Sequence, residues 1–218
     1  MALALFDLDN TLLGGDSDHL WGEFLIELGV VDRETHNTAN DRFYEDYKNG
    51  TLDIDAFLAF QLAPLAQHSR SELDQWHRQY MESKIESIML DKAKALIQHH
   101  RDAEDTLLII TATNRFVTEP IANAFGIETL IATDPEEING EFTGRYAGTP
   151  CFREGKVTRL NQWLADNHHD LTGSHFYSDS HNDLPLLQMV DHPVAVDADE
   201  KLLSHAKQHG WRSISLRD

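Results

Sequence analysis

The chain has 218 residues, of which 41% are hydrophobic and 25% charged, enough for one large α/β domain or for a core with a small insertion. Its formal net charge of −19 repels nucleic-acid backbones and anionic membranes, so we exclude both as main partners. It has no apolar run near the roughly 20 residues that span a bilayer and no basic leader, and its single cysteine, Cys151, excludes an intramolecular disulfide. We therefore expect a cytoplasmic protein.

The first residues predict a buried strand that ends in two carboxylates. Leu3 to Phe6 are apolar, as in a strand covered on both faces of a parallel sheet. Asp7 and Asp9 follow, and carboxylates at i and i+2 of an extended chain project from the same side. At the carboxyl end of a parallel strand, that side opens into the crevice where α/β sheets bind ligands. Two adjacent anions repel each other there, which favours a cation between them.

Residues 15–87 show helical patterns with no strand signal between them. Apolar and aromatic residues recur at helical spacing in four stretches of this segment. We therefore predict a helical domain over residues 15–87, inserted into an α/β core that comprises residues 1–14 and 88–218. Most aromatic residues of the insertion are expected to pack in its own core.

Strand and helix patterns alternate after residue 88. The apolar run from Thr106 to Ile110 predicts a second buried strand, which ends in Thr111-Ala112-Thr113-Asn114. A helix that begins near Phe116 would add N–H groups that favour an anion beside Thr111. Farther along, Asn139-Gly140 predicts the turn of a β-hairpin.

The last third of the chain contributes a lysine and an acidic motif. Lys156 lies where a helix is predicted to begin, and Asp179 and Asp183 follow a strand predicted to end at Tyr177. Oxygen ligands such as these carboxylates suit Mg²⁺ rather than zinc. We expect no catalytic role for Cys151, because no base or cationic environment can be argued for it.

Four motifs in this order resemble those of the haloacid dehalogenase (HAD) superfamily, and the resemblance covers nearly the whole chain. Asp7-Leu8-Asp9-Asn10-Thr11-Leu12 resembles the nucleophile motif DxDx[TV][LV], and Thr111 resembles the second motif. Lys156 resembles the third, and Asp179 to Asp183 resembles the fourth motif, GDxxND, with Ser178 in place of its glycine. The resemblance implies a Rossmann-like core with parallel strand order 5-4-1-2-3 and a helical type-I cap inserted after the first strand. Subfamily IB, which is phosphoserine-phosphatase-like, has this arrangement.

The resemblance also implies the roles of the matched residues in phosphomonoester hydrolysis. Asp7 would attack phosphorus as a nucleophile and become an aspartyl phosphate. Asp9 would act as the general acid and base, first protonating the leaving alkoxide and later taking a proton from water. Thr111, the amide of Ala112 and Lys156 would bind the phosphoryl group.

Mg²⁺ is the cofactor that the resemblance implies. Asp7, Asp9 through its backbone carbonyl, and Asp179 would be the metal ligands from the protein. Asn182 and Asp183 would lie in the next layer, where they would hold water and the lysine of the third motif in place.

Two positions bear on the identity of the substrate, because phosphoserine phosphatases use the corresponding residues to bind the amino acid. Asp16 stands where those enzymes carry a glutamate for the substrate's ammonium group, nine residues after the nucleophile. Gln61 stands where they carry a cap arginine for the carboxylate, and no arginine lies between Arg42 and Arg70. A carboxylate would be poorly paired in such a site, a loss of several kcal/mol. This favours an amino-alcohol phosphate that has no carboxylate.

The stretches GDSDHLWGEF and TATNRF resemble the proteobacterial histidinol-phosphate phosphatases of the HAD type. L-Histidinol phosphate, a small metabolite of histidine biosynthesis, has an ammonium group for Asp16 and an imidazole on which Trp21 can stack. Gln61 and Asn114 are further candidates for substrate selection. The alternatives are a phosphoserine phosphatase, another small-metabolite phosphatase or a phosphotransferase of the same fold, and a monomer and a homodimer both remain open.

Overall fold

The computed structural model describes residues 2–217, and its strands form one seven-stranded sheet. The strands are β1 (Leu3–Phe6), β2 (Thr106–Asn114), β3 (Thr129–Ile138), β4 (Glu141–Ala147), β5 (His175–Ser178), β6 (His192–Val196) and β7 (Arg212–Ile214). Their order across the sheet is β4-β3-β2-β1-β5-β6-β7. Every neighbouring pair is parallel except β3 and β4. β1, the first strand of the chain, is therefore the central one.

Helices connect the strands. The α-helices of the described residues are α1 (Ser17–Glu27), α2 (Arg33–Asn49), α3 (Ile54–Leu62), α4 (Arg70–Tyr80), α5 (Asp91–Asp102), α6 (Arg115–Ala124), α7 (Glu154–Asn167), α8 (Leu184–Leu187) and α9 (Glu200–His209). Side-chain caps define several helix starts, including a capping box of Ser69 and Glu72 at α4. Within residues 2–217, none of the helices has the length and apolar character needed to cross a membrane.

β1 is covered on both faces. Leu3 and Leu5 pack in one apolar cluster with Leu160 of α7, whereas Ala4 and Phe6 pack in a second cluster on the other face of the sheet. All four strand residues are at most 1% exposed. Side chains of a strand alternate between the two faces, so an unbroken apolar run suits a strand that is covered twice. The predicted α/β class with a mostly parallel sheet is confirmed.

Four helices, α1 to α4, follow β1 in the chain and precede α5, the helix that leads into β2. Where the chain enters and leaves this helical segment, Leu13 and Met89 form an isolated antiparallel bridge, and the amide of Gly14 donates to the carbonyl of Ile88 at 2.8 Å. The two passages of the chain therefore run side by side at the base of the helical segment.

β3 and β4 form the hairpin that Asn139-Gly140 predicts. Both turn residues have positive φ, 55° and 85°, as a two-residue hairpin turn of type I′ requires. The hairpin contacts the helical segment, because Arg70 donates to Glu137 at 2.7 Å and Tyr146 donates to Asp55 at 2.7 Å. It therefore supports that segment from one side.

Candidate active site

The carboxyl ends of β1, β2 and β5 open into a cavity of about 460 Å³ between the sheet and the helical segment. On the sheet side it is lined by Asp7, Asp9, Asn10, Thr111, Ala112, Thr113, Phe152, Lys156, Asp179, Asn182 and Asp183. On the helical side it is lined by Asp16, Asp18, His19, Asn40, Asp41, Phe43, Tyr44, Tyr47, Leu52, Ile54, Phe57 and Gln61. The fold thus brings residues of all four sequence motifs into one cavity.

Lys156, in the first turn of α7, provides positive charge on the sheet side. Its Nζ donates to Oδ1 of Asp7 and to the carboxylate of Asp183, each at 2.8 Å, and the residue is only 3% exposed. Burial lowers the pKa of Lys156, but the carboxylates of Asp183 and Asp7 outweigh burial and hold the pKa well above its ordinary value. The ammonium group is therefore charged and fixed between two acids.

Asp7 continues the chain directly from β1. Its amide donates to the carbonyl of Tyr177 in β5 at 2.9 Å, which extends the pairing of the strands into the site. Burial raises the pKa of Asp7 to about 6, although Lys156 opposes the rise. Above that pH the carboxyl is mainly ionised, as a nucleophile must be.

Asp9 is held by two donors. The amide of Ser17 at the start of α1 donates to Oδ1 at 2.6 Å, and the hydroxyl of Thr113 donates to Oδ2 at 2.8 Å. Burial and then the charge of Asp16 raise the pKa of Asp9 to about 7, where a carboxyl can both give and take a proton. The sequence pattern assigns no role to Thr113. Its place two residues after Thr111, on the same side of an extended chain, was the available signal.

Thr111 and Ala112 line the cavity at the end of β2, but Asn114 does not. Oγ1 of Thr111 accepts a hydrogen bond from the amide of Thr113 at 3.2 Å. Asn114 is buried, and its Oδ1 accepts from the amide of Val117 at 3.2 Å as the N-cap of α6. The expected role of Asn114 in substrate selection is therefore wrong, because its side chain is committed to the helix cap.

Trp21 does not face the cavity either. It is 1% exposed, and its ring packs against Phe24, His77, Tyr80 and Phe116 at centroid distances of 5.1 to 5.8 Å. The expectation that Trp21 stacks on a substrate imidazole is wrong, because the indole joins α1, α4 and α6 in an aromatic core. The aromatic residues that do line the cavity are Phe43, Tyr44, Tyr47, Phe57 and Phe152.

Asp179 follows β5 and shares the cavity with Asp7. Its amide donates to the hydroxyl oxygen of Thr11 at 3.1 Å, and that hydroxyl donates to its Oδ1 at 3.3 Å. Burial and then the negative charge of Asp7 raise the pKa of Asp179 well above its ordinary value. A divalent cation bound by both carboxylates would remove this repulsion. The site therefore fits a hard cation.

The donor set also indicates which cation fits. Among residues 2–217, no group of three or more His, Cys, Asp or Glu side chains is arranged to hold a metal ion. The carboxylates of Asp7 and Asp179 would therefore need further oxygen ligands from backbone carbonyls, water or substrate. Mg²⁺ typically takes one or two carboxylates and keeps several waters, so these residues suit it.

Ser178 and Asp183 position the lysine. The hydroxyl of Ser178 donates to Oδ2 of Asp183 at 2.7 Å and accepts from the amide of Ser180 at 3.1 Å. Ser178 stands where the related motif has glycine, and the structure gives its hydroxyl a specific function. It fixes the carboxylate of Asp183, which in turn holds Lys156.

The sequence predicts that Asn182 helps to hold Lys156, but the side-chain hydrogen bonds of Asn182 join it to Arg153 and Tyr47 instead. Its Oδ1 accepts from Nε of Arg153 at 3.0 Å, and the residue lines the cavity beside α2. Three backbone carbonyls at the C-terminal end of α2 accept hydrogen bonds from side chains of other elements. The carbonyl of Tyr47 accepts from Asn182 at 3.3 Å, and the carbonyl of Gly50 accepts from Arg153 at 2.8 Å. The carbonyl of Lys48 accepts from Lys201 at 2.6 Å. The last carbonyls of a helix lack partners within it, so these donors dock the end of α2 on the site.

The helical side of the cavity is acidic. Three carboxyl groups line it, those of Asp16, Asp18 and Asp41. Among the described lining residues, Lys156 on the opposite side is the sole lysine or arginine. Asp16 caps α1, since its Oδ1 accepts from the amide of His19 at 2.9 Å. Gln61 is buried and lines the cavity, and its side chain slightly opposes the rise that burial causes in the pKa of Asp18.

Comparison with known proteins agrees with this geometry. The family of haloacid dehalogenase-like hydrolases matches residues 4–188. A histidinol-phosphatase of Neisseria meningitidis serogroup C (strain 8013) is 48% identical over 99% of this chain and 99% of its own. Phosphoserine phosphatase SerB1 of Mycobacterium tuberculosis (strain ATCC 25618 / H37Rv) is 30% identical over 99% of this chain and 71% of its own.

Two solved structures share the fold. A protein of unknown function from Bordetella pertussis Tohama I has a TM-score of 0.93 at 45% identity, over 99% of both chains. A substrate-bound phosphoserine phosphatase has a TM-score of 0.71 at 17% identity, over 98% of this chain and 92% of its own. The family match over residues 4–188 and the 48% identical full-length relative show that the chain belongs to the haloacid dehalogenase-like hydrolases.

Proposed function

We propose that this hydrolase is a Mg²⁺-dependent phosphomonoester phosphatase that acts through an aspartyl phosphate, and that its substrate is L-histidinol phosphate. The observation that carries the reaction class is the buried pair of Asp7 and Lys156 beside Asp9, a carboxyl with a pKa of about 7. The 48% identical relative named histidinol-phosphatase supports the substrate.

The proposed reaction consists of two displacements at phosphorus. In the first, an oxygen of Asp7 forms a bond to phosphorus while the bond to the substrate alkoxide breaks, and Asp9 gives its proton to the alkoxide. In the second, Asp9 takes a proton from water, which attacks the same phosphorus and releases the carboxylate of Asp7. Lys156, Thr111 and the amide of Ala112 bind the phosphoryl oxygens in both steps.

The cation has its own set of residues in this proposal. The carboxylates of Asp7 and Asp179 and the carbonyl of Asp9 would hold Mg²⁺, which supplies positive charge against the repulsion between Asp7 and the phosphoryl group. Asp183 holds Lys156 in place from the other side.

The helical segment acts as a cap in this proposal, with residues 15–87 as the cap and residues 1–14 and 88–218 as the catalytic core. Residues of α1, α2 and α3 line the far side of the cavity, where the alcohol part of the substrate would lie. A cap in this place excludes water from the reaction and selects the leaving group.

Charge and shape on the cap side support histidinol phosphate over phosphoserine. The carboxyl groups there attract an ammonium group, and the rings of Phe43, Tyr44 and Phe57 offer surfaces for an imidazole. Gln61, which stands where phosphoserine phosphatases carry an arginine, lines the cavity with a neutral side chain. A substrate carboxylate would meet acidic groups without a cationic partner, a loss of several kcal/mol.

Phosphate release from three substrates tests the proposal. With Mg²⁺ present, kcat/KM for histidinol phosphate is expected to exceed that for phosphoserine by about a hundredfold, which corresponds to the penalty of roughly 3 kcal/mol for the unpaired carboxylate. Turnover of p-nitrophenyl phosphate is expected to stop on chelation with EDTA and to return with Mg²⁺. A preference for phosphoserine contradicts the charge argument, and activity that survives EDTA contradicts the metal. Transfer to an added alcohol in place of phosphate release would indicate a phosphotransferase.

Asp9→Asn is expected to slow turnover by on the order of a hundredfold, because an amide can neither donate nor take the proton. The backbone carbonyl, the proposed metal ligand, remains in this variant. The Mg²⁺ concentration for half-maximal activity is therefore expected to change much less than kcat. Asp102→Asn, an exposed change on α5, serves as the control. Equal losses in turnover and in Mg²⁺ affinity would argue against the acid–base role.

A further inference from the structure

Arg153 is the last residue before α7, and its side chain joins the start of that helix to two other elements. Nε donates to Oδ1 of Asn182, in the loop after β5, at 3.0 Å, and Nη2 donates to the carbonyl of Gly50, at the end of α2, at 2.8 Å. Gly50 leaves room for the guanidinium, because a Cβ on Gly50 would lie 2.7 Å from Nη2. Arg153 does not line the cavity, so any effect that it has on the reaction passes through the residues that it contacts.

The contacts of Arg153 form a closed ring with those of Lys156. In the first turn of α7, the carbonyl of Arg153 accepts from the amide of Lys156 at 3.0 Å. Nζ of Lys156 donates to the carboxylate of Asp183 at 2.8 Å, and Asp183 directly follows Asn182 in the chain. Two elements hold Lys156, the start of α7 and the loop after β5. The guanidinium of Arg153 joins these two elements and so helps to fix the position of the ammonium group.

The backbone of Arg153 also indicates a function for the side chain. Its φ of 50° and ψ of −119° lie in a region that glycine adopts readily and that other residues adopt only with strain. The turn is tight, because a Cβ on Gly155 would overlap the carbonyl oxygen of Pro150. A glycine at position 153 would make the same turn without strain, so the backbone does not account for an arginine there. Strained residues persist where the surrounding structure holds them, and here the guanidinium makes the contacts that do so.

The end of α2 contacts both elements that hold Lys156. Besides the contact with Arg153, Nδ2 of Asn182 donates to the carbonyl of Tyr47 at 3.3 Å. The hydroxyl of Tyr47 donates to Oγ of Ser180, in the same loop as Asn182, at 2.7 Å. Tyr47 lines the cavity from the cap side. The position of this helix end is therefore connected to the position of the lysine on the opposite side of the cavity.

We propose that Arg153 is a positioning residue that aligns Lys156 for phosphoryl binding when the end of α2 is docked on the core. This inference rests on the proposed function, which assigns the phosphoryl group to Lys156. The guanidinium donates to Asn182 of the core and to Gly50 of the cap at the same time. Undocking of α2 removes one of these two acceptors and loosens the ring around Lys156. Arg153 thus links the docking of the cap to the assembly of the phosphoryl site.

Two variants separate the guanidinium from the backbone. Arg153→Ala removes the guanidinium and keeps the strained conformation, whereas Arg153→Gly removes the guanidinium and relieves the strain. In both variants, kcat/KM for p-nitrophenyl phosphate is expected to fall by about thirtyfold, as for the loss of one charge-assisted hydrogen bond. The Tm of Arg153→Gly is expected to be at or above that of Arg153→Ala. Full activity of Arg153→Gly overturns the proposal, because the guanidinium would then be dispensable.

Chemical rescue tests whether the missing group is the guanidinium itself. Guanidinium ions at millimolar concentration are expected to restore kcat/KM of both variants to within about threefold of the unmodified enzyme, because the free ion can bind between Asn182 and Gly50. Sodium chloride at the same concentration is the ionic control. The matched variant is Arg145→Ala, which removes an exposed guanidinium paired with Glu136 and is expected to keep its activity with or without the ion. A loss of activity that guanidinium restores in neither variant overturns the proposal.

The ammonium group of Lys156 reports on the inference without any turnover. Nζ is buried between the carboxylates of Asp7 and Asp183, so its NMR signal is expected to be protected from exchange with water, and the signal is assigned by its absence in Lys156→Met. In Arg153→Ala this exchange is expected to become about tenfold faster, because the local structure opens more often, and to slow again with guanidinium. An unchanged exchange rate overturns the role of Arg153. If exchange responds but the unmodified protein hydrolyses no phosphomonoester, the proposed function fails and the positioning of Lys156 by Arg153 stands.

Discussion

Asp7→Asn is expected to lower kcat by about three decades or more, since loss of the nucleophile from a catalytic unit typically costs at least that much. The amide is a poor nucleophile and a poor ligand for the proposed cation. In the unmodified protein, Nζ of Lys156 contacts the carboxylates of Asp7 and Asp183, each at 2.8 Å. The variant therefore leaves Lys156 with one carboxylate partner in place of two. The fold is expected to persist, because Lys156 keeps the carboxylate of Asp183.

The measurement has a kinetic part and a chemical part. Single-turnover reactions with substrate labelled in the phosphoryl group, quenched in acid, are expected to leave label on the unmodified protein and none on Asp7→Asn. Hydroxylamine is expected to release the label, as it does from acyl phosphates. The matched control is Asp134→Asn, whose carboxylate pairs with Arg115 and Arg159 and does not line the cavity. Retention of more than about a hundredth of the activity by Asp7→Asn would contradict covalent catalysis.

The central part of the site could be predicted from the sequence because its signals are local. An unbroken apolar run predicts a doubly covered strand, and a polar residue just after such a run lies at the sheet edge that binds ligands. Asp7 and Asp179 follow strands in this way, Thr111 lies in the last half of β2, and the structure brings all three into one cavity. The hairpin turn at Asn139-Gly140 rests on equally local backbone preferences.

The cap side could not be predicted in the same way. Helical spacing shows that residues share one face of a helix, but it does not show whether that face packs on the protein or lines a cavity. Trp21 has the spacing of a core residue and is one, whereas Tyr44 lines the cavity although it is 56% exposed. Asp18 stands two residues after Asp16, and only the three-dimensional structure shows that Asp18 is the more buried of the two acids.

Contacts between distant parts of the chain could not be predicted from the sequence either. Arg153 and Lys201 are ordinary surface residues by sequence, yet they donate to carbonyls at the end of α2. Ser178 replaces the glycine of the related motif, and the sequence alone does not show that its hydroxyl orients Asp183. Such functions depend on which side chains meet, and that is decided by packing rather than by local propensity.

Lys156→Met is expected to damage both activity and stability. The variant keeps the length of the side chain but removes the charge that binds the phosphoryl group, so kcat/KM is expected to fall by about a thousandfold. It also leaves the buried carboxylates of Asp7 and Asp183 without their counter-ion. Breaking a buried ion pair from one side typically lowers the free energy of unfolding by about 3–5 kcal/mol. Lys94→Met, which removes an exposed lysine paired with Asp91, is expected to cost less than about 1 kcal/mol.

The stability of Lys156→Met is also expected to depend on pH with a definite sign. With the lysine present, the pKa of Asp7 is already raised to about 6 from 3.8, and loss of the lysine removes a charge that lowers it. The folded variant therefore binds more protons than the unfolded chain between those pKa values, and its stability falls as the pH rises. Urea unfolding at about pH 7.5 and about pH 5 is expected to show the largest deficit relative to the unmodified protein at the higher pH. A deficit that is the same at both pH values would mean that the variant loses packing around the side chain rather than the charge between Asp7 and Asp183.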